Sequence, residues 1–111
     1  MSAITTHVLD TSRGRPAAGV AVTLEIQTEE GWKWIGGGRT DDDGRAREVF
    51  TGEVTEATYR LTFNTASYWE SRRTEGFFPL VQLVFQVRDT SRDHHVPLLL
   101  SPYGYSTYRG S

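Results

Sequence analysis

The chain has 111 residues, with 12 basic and 14 acidic side chains, a formal charge of −2 and no cysteine. The length supports one domain spanning 1–111, because two would each be too small to hold a core. The slight acidic excess argues against a dedicated nucleic-acid partner, and the lack of cysteine removes disulfides, thiolate metal sites and thiol catalysis together. No basic segment leads into an apolar stretch at the N-terminus, and no apolar run nears the ~20 residues of a spanning helix. Neither a leader nor a membrane partner is expected, and a cytoplasmic protein is the plain expectation.

The pattern in chain order is β nearly throughout. Residues 4–10 alternate, with Ile4, Thr6 and Val8 on one face and Thr5, His7 and Leu9 on the other. Residues 20–27 alternate more cleanly and predict a half-buried strand. Trp32-Lys33-Trp34-Ile35 reads as a short aromatic strand that Gly36-Gly37-Gly38 ends or bulges. Thr40-Asp41-Asp42-Asp43-Gly44 is a turn signal, with Gly44 free to take positive φ. Strands are predicted again at 46–50, 59–64, 80–87, 96–101 and 105–108. One segment departs from the alternation: 65–73 predicts a short helix, with capping residues at its start and Gly76 and Pro79 beyond its end. Seven or eight short strands separated by turns indicate a sandwich or barrel.

Few residues offer chemistry. The histidines are His7, His94 and His95. His7 lies mid-strand, either as a satisfied half-buried side chain or as a general base near neutral pH. His94 and His95 are adjacent on a strand, so they point to opposite faces and cannot share one site without a bulge. No His-x-x-x-His spacing supports a metal centre. The Asp41-Asp42-Asp43-Gly44 run lacks the flanking acids of a calcium loop and reads as a turn. Arg45 and Arg47, two apart, are expected on one strand face, either as solvated cations or as an anion clamp.

The C-terminal tail is aromatic and strand-like to its last residue, whereas most termini are compositionally bland. An unpaired aromatic edge strand is an aggregation hazard, so a docked or paired tail is expected.

Thr6-His7-Val8-Leu9-Asp10-Thr11 followed by Gly14, Pro16 and Ala17 resembles the opening of the transthyretin-like family. Asp43-Gly44-Arg45, the Thr65-x-x-Tyr68-Trp69 helix start, Phe78-Pro79 and the block 95–111 continue the resemblance over essentially the whole chain. It implies an all-β, prealbumin-like (transthyretin-like) eight-stranded sandwich with one short helix. It also implies a homotetramer, a dimer of dimers, with active sites at the dimer–dimer interface in a cleft that the C-terminal tails help close.

The family holds hormone carriers and 5-hydroxyisourate hydrolases. The carriers have Lys, Glu and Thr where this chain has His7, Arg45 and His95, and a longer, different tail. The hydrolases have His, Arg and His there and end in Tyr-Arg-Gly-Ser, as residues 108–111 do. The resemblance therefore implies hydrolysis of the small molecule 5-hydroxyisourate to 2-oxo-4-hydroxy-4-carboxy-5-ureidoimidazoline, a step of urate breakdown, with no metal or organic cofactor. It implies His7 or His95 as general base and Arg45 as substrate holder and oxyanion stabiliser. Ser111, with its terminal carboxylate, and Tyr108 would orient the substrate or a histidine. The hydrolases often read His-Tyr-His where this chain has Asp93-His94-His95, so only His95 carries over, and His94 and Arg47 receive no role. The alternatives are a non-catalytic carrier of a small aromatic ligand and a plain adhesion or scaffolding sandwich.

Overall fold

The computed structural model describes residues 2–111. In β1 (Ile4–Asp10) the period-two pattern becomes alternate burial: Ile4, Thr6, Val8 and Asp10 face inward, and Thr5, His7 and Leu9 are half-buried on the outer face. The inward polar groups find partners. Thr6 Oγ1 donates to the Val96 carbonyl at 2.6 Å. The fully buried Asp10 accepts from the Tyr68 hydroxyl at 2.7 Å and from the Ser12 amide and hydroxyl. A carboxylate this deep is tolerated because its lone pairs are used.

β1 lies at the centre of the first sheet. It pairs in parallel with β8 (His94–Ser101), which pairs antiparallel with β9 (Gly104–Thr107). On its other edge β1 meets two short antiparallel strands, β2 (Arg15–Pro16) and β5 (Arg45–Ala46). The second sheet is antiparallel, in the order β4 (Gly31–Arg39), β3 (Ala21–Thr28), β6 (Ala57–Phe63), β7 (Val81–Val87). The helix α1 (Thr65–Ser71) links β6 to β7. The core is made where the two inner faces meet: Ile4, Val8, Leu98 and Leu100 pack with Val22, Leu24, Tyr59, Leu61, Phe63 and Val81.

The expected two-sheet sandwich with one helix is present, with nine strand segments among the described residues because two are only two residues long. Three local expectations change. The aromatic strand does not stop at the glycines but runs to Arg39 beside β3, with one irregularity where Leu24 and Glu25 face Gly36 and Trp34. A Cβ at Gly36 would collide with the Val49 carbonyl oxygen, so glycine lets a crossing segment touch this strand. The strand expected at 46–50 is reduced to Arg45–Ala46, because the chain leaves the sheet to make that crossing. The helix ends at Ser71, and its N-cap is Asn64, whose side chain accepts from the Ser67 amide.

Candidate active site

Register places most of the expected site residues on one face. Arg45 is the antiparallel partner of His7. His7 is also in register with Pro97 of the parallel strand β8. Leu98 pairs with Thr107, and an isolated bridge joins His95 to Gly110. The ladder stops at Thr107, but both pairs share one offset, which puts Tyr108 level with Pro97. Arg45, His7, Pro97 and Tyr108 thus form one row, and Thr5, His95 and Gly110 form the next. Both rows lie on the outer face, since Ile4, Thr6, Val96 and Leu98 between them are buried. Ser111 follows Gly110 and is exposed.

Each side chain has a distinct anchor. His7 Nε2 lies 2.8 Å from the Asp43 carbonyl oxygen. A carbonyl only accepts, so Nε2 carries the hydrogen and the neutral ring keeps its lone pair on Nδ1. His95 Nδ1 lies 2.8 Å from Thr5 Oγ1. The tail packs on the His95 ring: the Gly110 amide donates to the His95 carbonyl at 2.9 Å, and a Cβ on Gly110 would sit 2.7 Å from His95 Cδ2. Burial holds the His95 pKa below the usual histidine value, and the nearby Arg45 guanidinium, with His7 beside it, lowers it further. A ring held this way is neutral at pH 7 and able to accept a proton, beside a guanidinium able to stabilise an oxyanion.

Arg47 is not part of this group. Its guanidinium pairs with Asp41 Oδ2 at 2.7 Å, because the strand ends at Ala46 and Arg47 does not continue the face of Arg45. His94 lies in register with buried Ile4, on the opposite face from His95 as adjacency on a strand requires. With His95, Tyr108 and Gly110 it lines a pocket of about 240 Å³ in the seam between β7 and the tail, which does not include His7 or Arg45. Among the described residues, no group of three or more His, Cys, Asp or Glu could hold a metal ion.

Three contributors were not singled out from the sequence as site residues. Thr5 shares the face of His7 by strand alternation, a signal that was available. The Asp43 carbonyl and the close contact of Gly110 come from backbone geometry and have no side-chain signature.

The first sheet, with its parallel β1–β8 pair and a short strand carrying Arg45, defines a transthyretin-like sandwich with ionisable groups on an outer face. The HIUase/Transthyretin family matches over residues 4–110, and the chain belongs to that family. It is 43% identical over 109 residues to a 5-hydroxyisourate hydrolase of Salmonella dublin, covering 97% of this chain and 80% of that protein. It is similar in structure to Klebsiella pneumoniae 5-hydroxyisourate hydrolase, with a TM-score of 0.87 and 32% identity over 100% of this chain and 94% of that one. It is also similar to sea bream transthyretin in complex with thyroxine, with a TM-score of 0.90 and 30% identity over 96% of this chain and 93% of that one.

Proposed function

We propose that this chain hydrolyses 5-hydroxyisourate, opening the six-membered ring at an amide to give 2-oxo-4-hydroxy-4-carboxy-5-ureidoimidazoline. The observation that carries the reading is the gathering of His7, Arg45 and His95 on one outer sheet face by strand register. The similarity in sequence to 5-hydroxyisourate hydrolases supports it. A fold shared with a thyroxine-bound transthyretin does not by itself separate enzyme from carrier. His7, Arg45 and His95 together support the enzyme.

In this mechanism His95 takes a proton from water as the water oxygen attacks the ring carbonyl carbon. Arg45 stabilises the negative charge that develops on the carbonyl oxygen. Collapse of the tetrahedral species breaks the C–N bond, and the departing nitrogen takes the proton from the imidazolium. The product keeps every atom of substrate and water. His7, presenting the Nδ1 lone pair, accepts a hydrogen bond from substrate or water and is the second candidate for the base. Tyr108 and Ser111 orient the substrate from the tail, and no metal or organic cofactor takes part.

The working unit is one domain, 1–111, in a homotetramer, a dimer of dimers. Two features support assembly. β7 and β9 are both sheet edges, and they carry exposed Val84 and Tyr105, with exposed Tyr108 just beyond β9. The site itself lies on an open sheet face that a second dimer would close into a cleft. A cytoplasmic location fits the cysteine-free composition. No helix among the described residues is long and apolar enough to cross a membrane.

The test is to generate 5-hydroxyisourate in place with a urate oxidase and follow its ultraviolet decay. The wild-type protein accelerates the decay, and His95→Asn loses about 10²–10⁴ of that acceleration. Folded tetrameric protein that leaves the spontaneous rate unchanged would overturn the hydrolase and favour a carrier.

A further inference from the structure

We propose that Asp41 is a positioning residue that fixes the tautomer of His7 and the placement of Arg45 through the turn between them. This rests on the hydrolase reading for its consequence in rate, though not for its geometry.

The turn at 40–44 is tied from several sides by one side chain. Asp41 Oδ1 accepts from the Asp43 amide at 2.9 Å and from the Arg45 amide at 3.0 Å. The Asp41 backbone adds two more bonds: its amide donates to the Arg45 carbonyl, and its carbonyl accepts from the Gly44 amide, each at 2.9 Å. The Gly44 carbonyl then accepts from the Val8 amide at 2.7 Å, which stitches the turn to β1 one residue past His7.

Two groups of the site hang on this turn. The Asp43 carbonyl is the partner of His7 Nε2, and Asp43 is held by the Oδ1 bond to its own amide. Arg45 is held by the second Oδ1 bond, at the point where its short strand begins. A single acceptor oxygen therefore orients the group that sets which His7 nitrogen is free and the backbone that projects the guanidinium. The bond of Asp41 Oδ2 to Arg47 is exposed and screened, so the charge of Asp41 matters less than its Oδ1 acceptor.

The experiment uses the full chain and three variants. Asp41→Ala removes the acceptor, Asp41→Asn keeps an isosteric Oδ1, and Arg47→Gln removes only the screened pair. Long-range ¹H–¹⁵N spectra of His7 in the wild type report a single Nε2–H tautomer. In Asp41→Ala the spectrum becomes a tautomer mixture and kcat/KM falls about 10–100-fold, the scale of a misplacement near 1 Å. Asp41→Asn restores both readouts, and Arg47→Gln leaves both as in the wild type. An Nδ1–H tautomer for His7 in the wild type overturns the proposal whatever the variants do. So does folded Asp41→Ala with the wild-type tautomer and rate. A protein that shows the expected tautomers but no turnover refutes the hydrolase reading and leaves the geometric clamp standing.

Discussion

Gly110→Ala adds one methyl group to a tail that already touches the His95 ring. The new Cβ would lie 2.7 Å from Cδ2, 3.1 Å from Cβ and 3.2 Å from Cγ of His95. Ordinary contact begins near 3.4 Å, so ring and tail must separate by roughly 0.7 Å. Two relaxations are open. Either the ring tilts and strains its bond to Thr5, or the tail lifts and weakens the 2.9 Å bond from the Gly110 amide to the His95 carbonyl. Both disturb the site, the first at the proposed base and the second at Ser111. A shift approaching 1 Å at a reacting group costs up to about 10²-fold, so kcat/KM is expected to fall about 10–100-fold, or ~1.4–2.7 kcal/mol of barrier. Stability should change by much less than a core substitution does, because the tail residues lie outside the core. The assay is ultraviolet decay of 5-hydroxyisourate made in place, alongside a thermal melt at fixed protein concentration. Folded Gly110→Ala with wild-type kcat/KM would refute the argument that the tail positions His95.

Three more expectations rest on separate observations. Tyr68→Phe deprives the buried Asp10 carboxylate of its 2.7 Å hydroxyl donor. It should cost about 1–3 kcal/mol, read as a drop in melting temperature at equal concentration; an unchanged melt would contradict it. Because His95 titrates below 6.5, the rate should hold as the pH falls through that value and decline only as the folded-state group takes its proton. The unfolded chain takes up this proton first, so stability should fall between pH 6.5 and the lower folded-state value. An acid limb of kcat/KM above pH 6.5 that His95→Asn abolishes would show that the shift has the wrong sign. Deleting Ser111, or extending the chain past it with a tag, should reduce kcat/KM by about tenfold or more without a matching loss of stability. An untouched rate would remove the tail carboxylate from the mechanism.

Much of this protein is legible residue by residue. Strict alternation at 4–10 fixes which side chains of β1 can be buried, because successive Cβ atoms point to opposite sides of a sheet. The same rule separates His94 from His95 and lets only one of them join His7. Capping residues at the start, with Gly76 and Pro79 beyond the end, mark the helix to within two residues, and the residues at 7, 45, 95 and 108–111 carry the family resemblance and the proposed chemistry. The fate of 46–50 and of the glycine run was not legible, because a crossing between distant segments overrode the local β pattern.

Tertiary structure alone decided how the site is assembled. His7 and His95 are 88 positions apart in the chain, and only the parallel pairing of β1 with β8 makes them neighbours. Arg45 joins them because a two-residue strand pairs with β1, while Arg47 turns away to Asp41. The lowered His95 pKa requires burial and a nearby guanidinium, and the His7 tautomer requires a backbone carbonyl at 2.8 Å. These are properties of distances between remote segments, which alternation and motif spacing do not encode.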